Sequence, residues 1–221
     1  MKTLTKISLY IILLAAGLAS CKHDEAKPAL KSYLNVSKAF DNKGTLLISK
    51  NWNYDANGNL LSTISGSVTE KFTYDDLGNE LTYSNGILTI TYEYLNSKLS
   101  KATKTYTSNG NKTIALYAYN GDNVTISLNG VDESGSDATS TLNLTYTNGD
   151  LTNNDGEVLT YNTAIKNPSP MQINDFIKAT KSAVLKNNGG TYTYELNSDG
   201  LVTKKTNTTS NQSITYDYIK K

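Results

Sequence analysis

The 221-residue chain has no arginine, one cysteine, one histidine, one tryptophan and three prolines. Each shortage excludes something. Without Arg there is no planar fork to grip guanine or phosphate bidentately. With 21 Lys against 20 acids, a formal charge of +1, there is no basic footprint for nucleic acid. One Cys rules out an internal disulfide framework and a multi-Cys metal cluster, and one His rules out a multi-His site. No proline falls between Pro28 and Pro168, so none interrupts a strand ladder there. The abundant residues are 29 Thr, 26 Asn, 21 Ser and 16 Tyr. Thr and Tyr favour strands, and Asn favours turns. The length suits one sizeable domain. Plentiful apolar residues and balanced charge argue against disorder.

The N-terminus has the order of a targeting segment. Lys2 and Lys6 precede the apolar run Ile7 to Leu18, which is short of the roughly 20 residues a spanning helix needs. Leu18-Ala19-Ser20-Cys21 resembles a bacterial lipobox, which implies cleavage before Cys21 and acylation of that Cys. Several acyl chains on one residue anchor stably. Removing Lys2 and Lys6 leaves 19 Lys against 20 acids, a formal charge of −1. The following Lys22-His23-Asp24-Glu25 resembles the surface-export signal of Bacteroidetes lipoproteins, with His23 as a departure from its simplest form. Residues 1–20 are thus expected to be a signal peptide, 21–33 an acylated tether and 34–221 a single β domain.

The body repeats itself. Tyr54-Asp55-Ala56-Asn57-Gly58-Asn59-Leu60-Leu61 matches Tyr74-Asp75-Asp76-Leu77-Gly78-Asn79-Glu80-Leu81, 20 residues on. Looser copies run through Tyr92/Leu99, Tyr117/Val124 and Tyr194/Leu201, with turn-forming Asn, Asp or Gly between. The stretch before Lys98 lacks Gly, which predicts a different turn. Between turns the residues alternate with period two, as in Val124, Ile126 and Leu128 against Thr125, Ser127 and Asn129. That is the pattern of antiparallel strands with one buried face.

The expected fold is all-β: one curved antiparallel meander sheet, barrel-like or superhelical, of about 12–14 strands. One amphipathic helix is predicted at about 170–187. Ser169 suits its N-cap, Pro170 its first turn and Gln172 its capping box. Ile173, Phe176, Ile177, Thr180 and Val184 then share a face, and Asn188-Gly189-Gly190 ends it. Such a helix would close an open end of the curled sheet.

The Tyr-Asp-x-x-Gly-Asn-x-Leu motif resembles the YD repeats of RHS-type proteins. The whole layout, with Asn167-Pro168 and the closing stretch Thr191 to Gly200, is similar to a group of Bacteroidetes cell-envelope lipoproteins of uncharacterised function. That resemblance implies an antiparallel, porin-like superhelical β-sheet and no assigned activity. The lipobox and the export-like stretch Lys22 to Glu25 imply an outer-membrane lipoprotein, with display at the cell surface or a plain solvated tether as the two readings of that stretch.

Chemistry is scarce. His23, the only His, stands two residues from the anchor, so a Ser-His-Asp triad has no base. Asp41, Asp55, Asp75, Asp76, Asp150, Asp155 and Asp199 flank turns, where Asp bonds its own backbone. The oxygen-rich runs 55–59 and 132–137 lack EF-hand spacing. No catalytic residue, metal site or cofactor is expected. Lys101, Lys104, Lys204 and Lys205 read as solvated strand faces. The one ambiguous set is aromatic: Trp52, Tyr83, Tyr106, Tyr117, Tyr119 and Tyr161 could stack on sugar rings, or simply pack on the sheet. The leading reading is a non-catalytic, lipid-anchored envelope module, structural or binding. Its membrane partner acts through Cys21, and a glycan or envelope protein is its other partner. The alternatives are a surface glycan-binding protein of a nutrient uptake system and a carboxylate-dependent hydrolase.

Overall fold

A computed structural model of the protein describes residues 30–169, 176, 177 and 180–221. The expected signal peptide, Cys21 and nearly all of the tether lie outside the described residues. The strands are β1 (Ser32–Phe40), β2 (Leu46–Tyr54), β3 (Leu60–Ser65), β4 (Val68–Tyr74), β5 (Glu80–Ser84), β6 (Leu88–Leu95), β7 (Lys98–Tyr106), β8 (Lys112–Asn120), β9 (Asn123–Gly130), β10 (Ser140–Thr147), β11 (Asp150–Asn154), β12 (Glu157–Val158), β13 (Thr160–Lys166), β14 (Ser182–Asn187), β15 (Gly190–Leu196), β16 (Val202–Asn207) and β17 (Ser213–Lys220).

Strands β1 to β12 and β13 to β17 each pair antiparallel with their neighbours in sequence, as a meander requires, and no ladder pairs join β12 to β13 among the described residues. The last strand then returns to the first: β17 pairs β1 from Ser32↔Lys220 to Phe40↔Ser213. The sheet is therefore a nearly closed barrel. Its thinnest wall lies between β11 and β15, where β14 and β15 share only Lys186↔Thr191 and Asn187↔Gly190. β12 and β13 follow one another across Leu159, whose N–H donates to the Thr152 carbonyl at 3.0 Å. Closure removes the open edges that a flat sheet of this size would expose.

Two expectations are corrected. The described residues form 17 strands, not 12–14. Two of the extra ones are short: β11 and β12 are joined through Asp155-Gly156, and segments of five and two residues are too brief to show alternation. The helix expected at 170–187 also fails, since Ser182–Asn187 is strand β14, paired with β13 and β15. Residues 170–175, 178 and 179 lie outside the described residues. The reason is chemical ambiguity: Asn188-Gly189, read as a helix stop, is instead the two-residue connection of the β14–β15 hairpin.

Local turn chemistry builds the rest. In the turn from Asp55, the Asp55 N–H donates to Asn59 O and Gly58 N–H to Asp55 O, while Asp55 Oδ1 accepts the Asn59 N–H at 2.8 Å. The turns from Asp41, Asp75 and Asp132 repeat this scheme. Gly58 and Gly78 supply the left-handed residue, with φ of 88° and 80°. The turn before Lys98 does differ: Asn96 and Ser97 both have positive φ, the signature of a two-residue type I′ loop.

Alternate side chains fill the barrel. One core cluster centres on Ile90, Ala102, Ala115, Ile126 and Leu151, and a second on Leu34, Trp52, Leu60, Phe72 and Tyr216. Phe176 and Ile177, between β13 and β14, are buried in the first cluster. The meander defines two rims. One carries the turns at 41–45, 66–67 and 208–212, and the other those at 55–59, 75–79, 121–122 and 197–201.

Candidate functional site

The tyrosines do more than pack. Tyr94 OH donates to Glu80 O at 3.0 Å, Tyr119 to Leu99 O at 2.8 Å, Tyr161 to Leu151 O at 2.6 Å and Tyr218 to Val202 O at 2.9 Å. Tyr194 does the same to Val184 O. Each hydroxyl reaches back to a backbone carbonyl of an earlier strand, so partly exposed phenols gain partners and tie strands of the wall together. Burial disfavours the phenolate, pushing Tyr94 and Tyr218 up to about 12.

The six aromatic candidates fall into four places. Trp52 is buried, donating Nε1–H to Ser37 Oγ at 3.1 Å, and Tyr83 OH donates to Glu70 Oε1 at 3.1 Å. Tyr106 is buried, with the Lys104 ammonium 5.2 Å from its ring centroid. Tyr161 braces β11, as above. Tyr117 and Tyr119 come together in a cavity of 410 Å³ at the rim of turn 121–122, with Tyr146, Lys98 and Asp122. There Tyr117 OH donates to Phe176 O at 2.7 Å, and the Lys98 ammonium lies 5.1 Å from the Tyr119 ring centroid. Tyr119 remains 40% exposed. Beside this cavity, burial pushes Tyr146 up to about 12.

Glu70 is an inward carboxylate that the sequence reading did not single out. Lys50 Nζ sits 2.8 Å from its Oε2, and Thr63 and Tyr83 donate to it as well. Burial pushes Glu70 up, but these donors and the Lys50 charge outweigh it and hold the carboxyl below its usual value. An acid so held is a poor proton donor. Buried Asp150 likewise accepts the Ser182 N–H at 2.6 Å. Among the described residues no three His, Cys, Asp or Glu cluster as metal ligands.

The lysines divide by strand face. Lys101 and Lys204 are outward, paired with Glu93 and Glu195 at 2.7 and 3.2 Å. Lys104 and Lys205 face inward, contrary to the solvated reading. Lys104 lies over the Tyr106 and Phe176 rings, and Lys205 lies over Tyr192 at 4.0 Å. Consecutive strand residues point to opposite faces, so Lys204 and Lys205 cannot both be solvated.

No family model matches the chain, and no curated protein matches it. Among solved structures it is similar to a porin-like protein from Bacteroides uniformis. The likeness has a TM-score of 0.52 at 16% identity and covers 87% of this chain and 98% of that one. At that identity the likeness shows the fold: an antiparallel barrel of porin-like form. The outer wall has its own chemistry. A polar row, Asn53–Ser62–Lys71–Ser84–Thr89–Thr105–Lys112, runs in register across seven strands, β2 to β8. Beside it Thr73 and Thr82 hydroxyls meet at 2.7 Å, and on β9 and β10 Thr145 donates to Asn123 at 2.9 Å.

Proposed function

We propose that the chain is a non-catalytic envelope protein, a barrel standing in water, tethered to the outer membrane through acylated Cys21 and binding at its rims. The carrying observation is the polar outer row. A membrane-spanning barrel presents an apolar band about 25 Å tall, and a Lys at its midplane costs about 2–4 kcal/mol. Lys71, Lys112 and Lys101 stand on this outer wall with Thr, Ser and Asn as neighbours, and apolar residues such as Ile64 and Leu116 interrupt it singly. Such a wall suits water, and a water-facing barrel needs an anchor to stay at a membrane. The lipobox provides one. The Bacteroides origin of the similar porin-like protein agrees with an envelope location.

The test is fractionation. The wild-type protein should take up radiolabelled palmitate and partition with membranes, and Cys21→Ala should lose both. In planar bilayers the protein should pass no current. Unchanged labelling of the variant, or steady conductance, would overturn the proposal. Protease digestion of intact cells separates cell-surface from periplasmic display.

A second reading has its own support. The 410 Å³ cavity joins aromatic Tyr117, Tyr119 and Tyr146 to charged Lys98 and Asp122, the mixture of ring faces and hydrogen-bonding groups that suits a sugar. A glycan array should find a ligand whose binding falls on Tyr119→Ala. An array without signal above background counts against it.

A further inference from the structure

At the opposite rim, between β1, β2, β15, β16 and β17, lies a separate cavity of 270 Å³. Its walls are apolar, with Phe40, Leu47 and Ile214, and its charged wall residue is Lys205. Tyr192 presents a ring face 4.0 Å from the Lys205 ammonium. Gln212 and Ser213 bring polar groups to the mouth.

The charge of Lys205 lacks an anion. Its neighbour Lys204 pairs with Glu195 on the outer face, and Lys220 pairs with Asp199. Among the described residues, Lys205 has no carboxylate within salt-bridge distance. A cation drawn partly out of water without an opposite charge is costly, and an aromatic face offsets only part of that cost. Burial accordingly pushes the Lys205 ammonium below its usual value. The register fixes its place: Lys205 pairs with Tyr194 on one side and Ile214 on the other, both inward residues.

We propose that this cavity binds a small carboxylate with a compact apolar body. The carboxylate meets Lys205 in a charge-assisted hydrogen bond, and the body lies against Phe40, Leu47 and Ile214. The volume sits just under the roughly 300 Å³ lower end of small-molecule pockets, which limits the body to about one ring or a short chain. The proposal deepens the reading of the barrel as a binding module and rests on it.

The test is a calorimetric titration of the full-length protein in nanodiscs with phenylacetate, with its neutral counterpart 2-phenylethanol, and with inorganic phosphate. Phenylacetate should saturate, and the alcohol and phosphate should each bind at least tenfold more weakly. Lys205→Met should weaken phenylacetate at least tenfold, whereas Lys204→Met should leave it unchanged. Equal binding of acid and alcohol, no saturation, or an unchanged affinity in Lys205→Met overturns the proposal. The comparison of acid with alcohol on the wild-type protein needs no variant to fold. Failure here leaves the palmitate and conductance results intact, and failure of those leaves this titration intact.

Discussion

Thr63 and Glu70 face one another across the β3–β4 ladder, and the Thr63 hydroxyl donates to the Glu70 carboxylate inside the barrel. Lys50 completes the charge balance from β2, the far side of Thr63. Removing Lys50 leaves a largely buried carboxylate with only neutral donors. Lys50→Met should therefore cost about 2 kcal/mol at pH 7, the range for a hydrogen bond to a charged group. The folded wild-type Glu70 is held below its reference value of 4.5. Its contribution is thus present above that value and lost as pH falls through the lowered folded one. Without Lys50 the variant has less to lose, so its deficit should narrow toward pH 3. Urea midpoints of both proteins at pH 7 and pH 3 check this.

The tyrosine bridges carry a second prediction. Tyr218→Phe keeps the ring but deletes the donor to Val202 O. Tyr94→Phe does the same at Glu80 O. Each should cost about 1 kcal/mol, the net value of such a hydrogen bond. The two hydroxyls bridge different strand pairs, β16–β17 and β5–β6, so the double variant should lose about the sum. Urea denaturation of the single and double variants gives the numbers.

Alkaline pH tests the partly buried tyrosines collectively, bridging or not. Folded Tyr54, Tyr94, Tyr146 and Tyr218 are pushed up to about 12 by burial, against a reference of 10.0. A raised folded pKa contributes stability that is whole below the unfolded value and is lost as pH rises through the folded one. Stability should therefore be flat to about pH 10 and fall steeply between 10 and 12. Phenolate absorbance at 295 nm should then rise together with loss of far-ultraviolet strand signal. Full ionisation with the sheet intact would contradict the burial.

Much of the fold was legible because hairpin chemistry is local. Asp55 to Asn59 and Asp75 to Asn79 announce their turns within five residues, and the alternation along β9 and β10 announces the buried face. The segment 182–187 was misread because Asn188-Gly189 ends a helix and turns a hairpin equally well, and only the partner strand β13 decides between them. The tyrosine acceptors were illegible for another reason: they are backbone carbonyls, which leave no mark on residue type. Lys205 could have been suspected, since its neighbour on the same strand must face the other way. The bulge at Glu195/Leu196 still hides which of the two lysines turns inward.

The Asp turns make an acid-side prediction. The backbone N–H of Thr45 is the largest influence holding Asp41 below its usual value, and the side-chain and backbone amides of Asn79 do the same for Asp75. These carboxylates stabilise their turns above the ordinary Asp pKa and lose that effect as pH falls through the lowered folded values. Asp75→Ala should lower the urea midpoint at pH 7 by less than Lys50→Met does, and the difference from wild type should shrink at pH 3. Asp75→Asn, which keeps an acceptor oxygen for the Leu77 and Asn79 amides, should be milder than Asp75→Ala at pH 7.

Backbone closeness at the end of β9 sets the sharpest structural prediction. Gly130 pairs with Thr113 and has a φ of 128°, a conformation that L side chains rarely adopt. A Cβ there would collide with the Lys112 carbonyl oxygen. That same oxygen accepts the Val131 N–H at 2.9 Å, so the clash cannot be relieved without loosening the bond. Gly130→Ala therefore combines backbone strain of about 1–3 kcal/mol with loss of about 1 kcal/mol of hydrogen bonding. Gly86→Ala is the control: its φ is 85°, but nothing lies within 4 Å of the added carbon, so only strain remains. Thermal melts should place Gly130→Ala well below Gly86→Ala. Equal melting temperatures would mean that φ alone, and not the approach of β8, demands glycine at this position.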